Sequence, residues 1–200
     1  MVERIRVGVV GAGRYARIAL LPTLRARSDV AVVAVVDPAP DAGVYPDVEA
    51  FLHSGNASCA VVAIPHETHG PILTRLLDAG LDLFSEWPLS LDLGEAHRIV
   101  DLAAQRGRIL IVGFNRRYAP ACVAAKTAFA GSPVDFTSAL KARATLLFEG
   151  IHLLDLVWWY CGGAVQAGAA SARSLNPAPT AGSTRRSTTS WIALRTGEPP

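Results

Sequence analysis

Charge is scarce in this chain of 200 residues, with 18% Asp, Glu, Lys or Arg and a net charge of only +2. Its basic residues are scattered, so no stripe or patch for nucleic acid forms; Arg6, Arg14 and Arg17 fall near one another, as ordinary surface residues often do. Cysteine is scarcer still. Cys59, Cys122 and Cys161 lie far apart in apolar surroundings, without a CxxC motif or metal-ligand spacing. No metal site is therefore expected, and free thiols in a reducing cytoplasm are. No apolar run reaches the length needed to cross a bilayer, and Met1–Arg6 leads into a strand with no signal-type hydrophobic region. The expectation is a cytoplasmic protein with no membrane partner. What the chain has in plenty is apolar surface, at 50% of residues, enough for a core that folds unaided.

That apolar content is organised. Arg4–Val10, Val30–Val36, Cys59–Ile64, Leu81–Phe84 and Ile109–Val112 are short runs, several rich in β-branched residues, apolar on both faces as parallel strands must be. Helical spacing runs through Arg14–Arg27, His69–Ala79 and Asp92–Arg106 between them. Strand and helix alternating with short links predict a parallel sheet covered by helices. After Arg117 the pattern changes. Ala119–Ala130 and Glu149–Tyr160 read as helices, Val134–Ala144 alternates as a half-exposed strand, and Val165–Ala172 and Thr188–Leu194 are weaker strands. Arg173–Thr184, rich in Ser, Pro, Ala, Thr and Gly, reads as a loop. Two domains are expected, residues 1–117 and 118–200.

The first strand ends in Gly11-Ala12-Gly13-Arg14-Tyr15-Ala16, and a helix follows. A glycine turn in that setting brings backbone N–H groups to a pyrophosphate at a helix start. Gly11 permits the tight turn, Gly13 the close approach, and Ala16 the packing of helix on strand, with Arg14 and Tyr15 in the turn itself. Asp37, ending the next strand, is placed to accept the ribose hydroxyls of an adenosine. A carboxylate there repels a 2′-phosphate, and Pro38-Ala39-Pro40 brings no cation, so NAD is favoured over NADP; Arg14 weakens that preference a little.

Several segments then resemble one family. Val-Gly-Val-Val-Gly-Ala-Gly-Arg-Tyr-Ala at 7–16, Val-Val-Asp-Pro at 35–38 and Ile-Pro-His-Glu-Thr-His at 64–69 come first. Ser-Glu-Trp-Pro-Leu at 85–89, Gly-Phe-Asn-Arg-Arg-Tyr-Ala-Pro at 113–120 and Gly-Ile-His-Leu-Leu-Asp-Leu at 150–156 follow. In order and spacing the chain resembles the Gfo/Idh/MocA oxidoreductases. The resemblance implies an α/β protein, a Rossmann parallel sheet followed by a second α/β domain with an open, mostly antiparallel sheet, truncated here. It also implies that Pro65, His69, Glu86 and Asn115 line the ribose and nicotinamide, and that His152 is the active-site histidine.

Two positions depart from the family pattern. Its Glu-Lys-Pro motif reads Glu86-Trp87-Pro88, and the aspartate many members carry four residues before the histidine is Phe148. Trp87 offers one donor and a flat face where an ammonium would steady charge. It can stack on the nicotinamide or close the pocket, and an aromatic before proline favours a cis peptide. The chain's two lysines, Lys126 and Lys141, are not convincing replacements. Three functions stay open: an NAD-dependent oxidoreductase acting on a small carbonyl, imine or sugar-like substrate with His152 as proton donor, a cofactor-binding auxiliary or sensor, and a non-redox enzyme reusing the pocket. A shortened sheet with Trp191, Trp158 and Trp159 near its edge leads to one further expectation, a homo-oligomer or a protein partner that completes it.

Overall fold

Seven consecutive Val and Ala residues, Val30–Val36, can be buried on both faces only in the interior of a layered structure. The computed structural model describes residues 3–39, 45–128, 136–141, 150–161, 173–175 and 189–194, the strands beyond residue 128 by their backbone. It divides into two compact units, Met1–Gly113 and Phe114–Pro200.

In the first unit five parallel strands, β1 (Ile5–Val10), β2 (Val30–Val36), β3 (Cys59–Val62), β4 (Asp82–Ser85) and β5 (Leu110–Val112), lie in the order β2-β1-β3-β4-β5. The chain moves from β1 to β2 on one side, then returns across β1 to β3, so the direction of winding reverses between β1 and β3. In sheets of this type the carboxyl ends at such a reversal form the binding crevice. Side chains alternate faces along each strand. Val9 and Val35 pack with Ala12 and Leu21 on one face, whereas Val10, Val36 and Val62 pack with Phe51, Leu73, Leu76, Leu77 and Ile99 on the other.

The helices of this unit are α1 (Leu21–Arg25), α2 (Val48–His53), α3 (His69–Asp78) and α4 (Leu93–Gln105). Asp92 caps α4, its carboxylate accepting the Glu95 N–H at 2.6 Å. Where an unbroken helix is predicted over Arg14–Arg27, a wider π-helical turn, Ala16–Leu20, precedes α1. Pro22 explains the difference: it has no N–H to give, and its ring crowds the carbonyl four residues back. The helix α2 has no counterpart in the sequence reading. Asp47 caps it by accepting the Ala50 N–H at 2.8 Å, and Phe51, 1% exposed, anchors it in the core.

Among its described residues the second unit contains α5 (Pro120–Ala128), α6 (Ile151–Tyr160) and three antiparallel strands, β6 (Phe136–Lys141), β7 (Arg173–Leu175) and β8 (Thr189–Leu194), in the order β6-β8-β7. Arg173–Leu175, assigned to a loop from composition, pairs instead with β8, Leu175 opposite Thr189. Antiparallel pairing supplies backbone hydrogen bonds even to a segment of weak strand propensity. The expected strand Val165–Ala172, the rest of that loop, and Phe148 and Glu149 lie outside the described residues, as do the side chains of Lys141 and Trp191. Among the described residues no helix is long and apolar enough to cross a membrane.

Phe51 owes its seat to a neighbour with no side chain. A β-carbon on Gly8 would fall 2.4 Å from Phe51 Cζ. Gly8→Ala should therefore destabilise the protein by ~1–3 kcal/mol, the usual cost of overpacking. The same change in a Phe51→Leu background should cost clearly less, as a denaturant double-mutant cycle would measure.

Candidate functional site

Gly11, Asp37, Pro65 and Glu86, four of the predicted nucleotide residues, lie along one edge of the sheet because the strands end in step. The Gly11 N–H donates to Val36 O at 2.8 Å, Ala63 to Val10 O at 2.8 Å, Glu86 to Val62 O at 2.9 Å and Gly113 to Ser85 O at 2.8 Å. Those four bonds tie the first residues beyond β1, β3, β4 and β5 into a rank at the carboxyl edge. Pro65 stands on the same edge, exposed, after β3.

Gly11 has φ +95°, and a β-carbon on it would lie 2.2 Å from Ala63 O. Its glycine is thus required twice, by conformation and by packing on the chain beyond β3. Gly13 differs, since nothing lies within 4 Å of where its β-carbon would be. The open side of the turn is there, with Gly13, Arg14 and Tyr15 exposed and Ala16 buried. Asp37 does more than wait for a ligand: one carboxylate oxygen accepts the Ala12 N–H at 2.8 Å and the other the Ala39 N–H at 3.0 Å. Arg17 Nε donates to Ala12 O at 2.6 Å, a support that composition gave no reason to single out. Tyr45 is another residue the sequence did not mark; its carbonyl accepts the Asp37 N–H at 3.0 Å, and its ring meets Phe51 edge-on.

At the next two strand ends lies His69. It is expected to line the ribose and nicotinamide, but it is 1% exposed. Its Nδ1 lies 2.8 Å from Pro88 O and its Nε2 3.2 Å from Ile64 O, so the ring supports the edge from behind. Its burial pushes the imidazole below its ordinary value, against the help of those carbonyls. Glu86 and Trp87 are half-buried at the edge, and the Trp87–Pro88 peptide is cis, in line with the aromatic-proline reading. Burial raises the Glu86 carboxyl above the ordinary carboxylate range.

Asn115 and His152 belong to the second unit. Asn115 opens a 3₁₀ turn, Asn115–Tyr118, and is exposed; His152 is buried in the first turn of α6. The Phe114 ring meets His152 edge-on, centroids 6.3 Å apart. Three residues on, the buried Asp155 accepts from Arg117 twice, Nε to Oδ2 at 2.8 Å and Nη2 to Oδ1. The guanidinium also lies 5.6 Å from the Phe114 ring centre and 5.7 Å from that of Trp158. A bidentate ion pair flanked by aromatic rings holds the turn carrying Asn115 to the helix carrying His152.

Lys126 is committed elsewhere. Its Nζ donates to Trp159 O in the last turn of α6 and sits 4.8 Å over the Trp159 ring. Among the described residues no group of three or more His, Cys, Asp or Glu could hold a metal ion.

Residues 5–114 match the family model of Gfo/Idh/MocA, described as an oxidoreductase family with an NAD-binding Rossmann fold. The chain is 31% identical, over 80% of its length, to the oxidoreductase-type protein YceM of Salmonella typhimurium, of which it covers 57%. It is 28% identical, over 90% of its length, to an inositol 2-dehydrogenase of Rubrobacter xylanophilus, of which it covers 58%. The chain thus spans little more than half the length of these relatives. Among solved structures it is similar to GenD2 from gentamicin A biosynthesis in complex with NAD, at a TM-score of 0.75 and 26% identity, covering 90% of this chain and 59% of that one.

Glu86 generates a prediction with a definite sign. A carboxyl raised above its ordinary 4.5 penalises the folded state wherever it is ionised, and the penalty disappears below that ordinary value. Glu86→Gln should raise the melting temperature at about pH 8 and lose that advantage by about pH 4, as parallel melts of both proteins would reveal.

Proposed function

The chain belongs to the Gfo/Idh/MocA oxidoreductase family, whose first domain is an NAD-binding Rossmann fold, and from that footing we propose that it binds NAD and acts as an oxidoreductase on a small, sugar-like substrate. The observation that carries this reading is the turn at Gly11–Ala16: a left-handed glycine packed on β3, an open flank at Gly13, and a carboxylate at Asp37 in contact with the turn.

These residues fit a dinucleotide. Gly13 leaves room for a pyrophosphate beside backbone N–H groups. Each Asp37 oxygen accepts one backbone N–H and keeps a lone pair for a ribose hydroxyl. Pro38 and Ala39 beside it are uncharged, which favours NAD over NADP. When bound, the dinucleotide supplies a nicotinamide that gives or takes hydride. The chain's own part is to orient and to handle the proton. Pro65, Glu86 and Trp87 at the sheet edge form the ribose and nicotinamide walls in this reading, and Trp87 provides a flat face. His152 supplies the proton to the reacting oxygen or nitrogen during reduction. A positioned acid of this kind contributes about 10²- to 10⁴-fold, so turnover with it as the lone acid is slow but measurable.

The inositol 2-dehydrogenase names among the relatives favour a polyhydroxylated ring as substrate. A second reading keeps the dinucleotide without turnover, as an auxiliary or sensor protein; Trp87 and Phe148 at the two departing positions favour it. The α/β domain of residues 118–200 completes the two-domain reading, and pairing along the outer strands β6 and β7 would give a homo-oligomer or a complex with a partner protein. Operation in a reducing cytoplasm agrees with three free cysteines.

NADH fluorescence titration of the purified protein should give saturable binding, tighter for NADH than for NADPH. In Asp37→Ala that binding should weaken about tenfold and the preference between the two should narrow. Oxidation of NADH on mixing with inosose-type ketones, sugars or cyclic imines should be slow, and about 10²-fold faster in Trp87→Lys. Binding without turnover on any of these selects the auxiliary reading; no binding of either dinucleotide defeats both.

A further inference from the structure

We infer that His69 is a positioning residue, a latch through which one buried ring at the start of α3 holds the Trp87–Pro88 turn after β4 and so sets where Trp87 stands. The inference rests on the dinucleotide reading only for what the latch serves; the latch itself stands on distances within the first unit.

The imidazole at the start of α3 faces two backbone acceptors, Pro88 O at 2.8 Å from Nδ1 and Ile64 O at 3.2 Å from Nε2. These carbonyls follow neighbouring strands, β4 and β3, at the edge where Pro65, Glu86 and Trp87 lie. A neutral imidazole carries one N–H, and burial keeps this ring neutral near pH 7. The shorter contact takes the proton: Nδ1–H donates to Pro88 O, and the Ile64 carbonyl meets only the unprotonated Nε2. The hold is therefore one-sided: with this tautomer the ring bonds the Trp87–Pro88 turn and makes no hydrogen bond to Ile64.

The ring has little freedom to let go. A β-carbon on Gly70, the next residue, would lie 2.0 Å from Glu95 Oε1, so α3 begins tight against the first turn of α4. That Glu95 carboxylate is fixed in turn by the Ser90 hydroxyl, and its N–H by Asp92. The backbone bearing His69 is thus clamped from the α4 side, and its Nδ1–H passes that fixed position on to Pro88. An apolar side chain of equal size would fill the same space but would leave a buried carbonyl unpaired. That loss makes the role separable from packing.

The two nitrogens have separate mimics. The Asn amide nitrogen sits at the reach of Nδ1, the Gln amide nitrogen at that of Nε2, and Leu fills volume alone. The test follows the ¹⁹F resonance of 5-fluorotryptophan at position 87, assigned by its disappearance in Trp87→Phe, together with NADH affinity and melting temperature. His69→Asn should keep the Trp87 resonance close to wild type and NADH affinity within about threefold. His69→Gln and His69→Leu should shift or broaden that resonance and weaken NADH about tenfold or more. A Trp87 resonance unchanged in a folded His69→Leu, or moved equally in the Asn and Gln variants, overturns the latch. Should Leu fail to fold, the contrast between Asn and Gln decides alone. Wild-type protein that binds no NADH would defeat the dinucleotide reading, while the ¹⁹F comparison would still settle the latch.

Discussion

Everything at the candidate site is built around the close approach of Gly11 to Ala63. Two strands adjacent in the sheet end together, and the chain leaving β1 must turn within van der Waals contact of the chain leaving β3. Only a residue without a β-carbon, at φ +95°, satisfies that geometry. Once it is met, Ala12 presents its N–H to Asp37 and its carbonyl to Arg17, and Gly13 is left facing open space. The order of consequence runs from backbone packing to turn shape to ligand chemistry.

The two units treat their charged groups differently. In the first unit the edge carries Asp37, satisfied by backbone N–H groups, and Glu86, raised by burial. Among the described residues of the second, Arg117 and Asp155 form a bidentate pair flanked by aromatic rings, with Asp155 three residues beyond His152. A buried pair of this sort is weak support for net stability, because desolvation offsets much of its attraction. Its plainer effect is geometric, since a bidentate fork admits little rotation between the turn and the helix it joins. Lys126, spent on the end of α6, leaves the chain's few ammonium groups further depleted.

The parallel strands were legible because burial on both faces writes itself as uninterrupted Val and Ala, and the phosphate turn because glycine has few other reasons to sit between strand and helix. The helix α2 was hidden: Asp47, Val48, Phe51 and Leu52 carry a cap and a helical face, but they follow a stretch of Pro, Asp, Ala and Gly that reads as loop. His69 could be assigned to the site region from its motif, yet its orientation depends on carbonyls from two other segments, which no local pattern records. The strand Arg173–Leu175 was illegible for a related reason, as its partner β8 supplies what its own sequence lacks. The π-helical turn was readable in principle from Pro22, whose missing N–H four residues past Ile18 forbids an ordinary helical register there.

The contact between Gly8 and Phe51 also constrains how this sequence can drift over generations. The two residues lie on different elements, far apart in the chain, yet they share one volume. A lineage in which position 51 first shrinks can later acquire a side chain at position 8; a lineage that attempts the reverse order passes through an overpacked core. The order of substitution is therefore constrained in both directions: position 51 must shrink before position 8 gains a side chain, and position 8 must lose it before the ring can return.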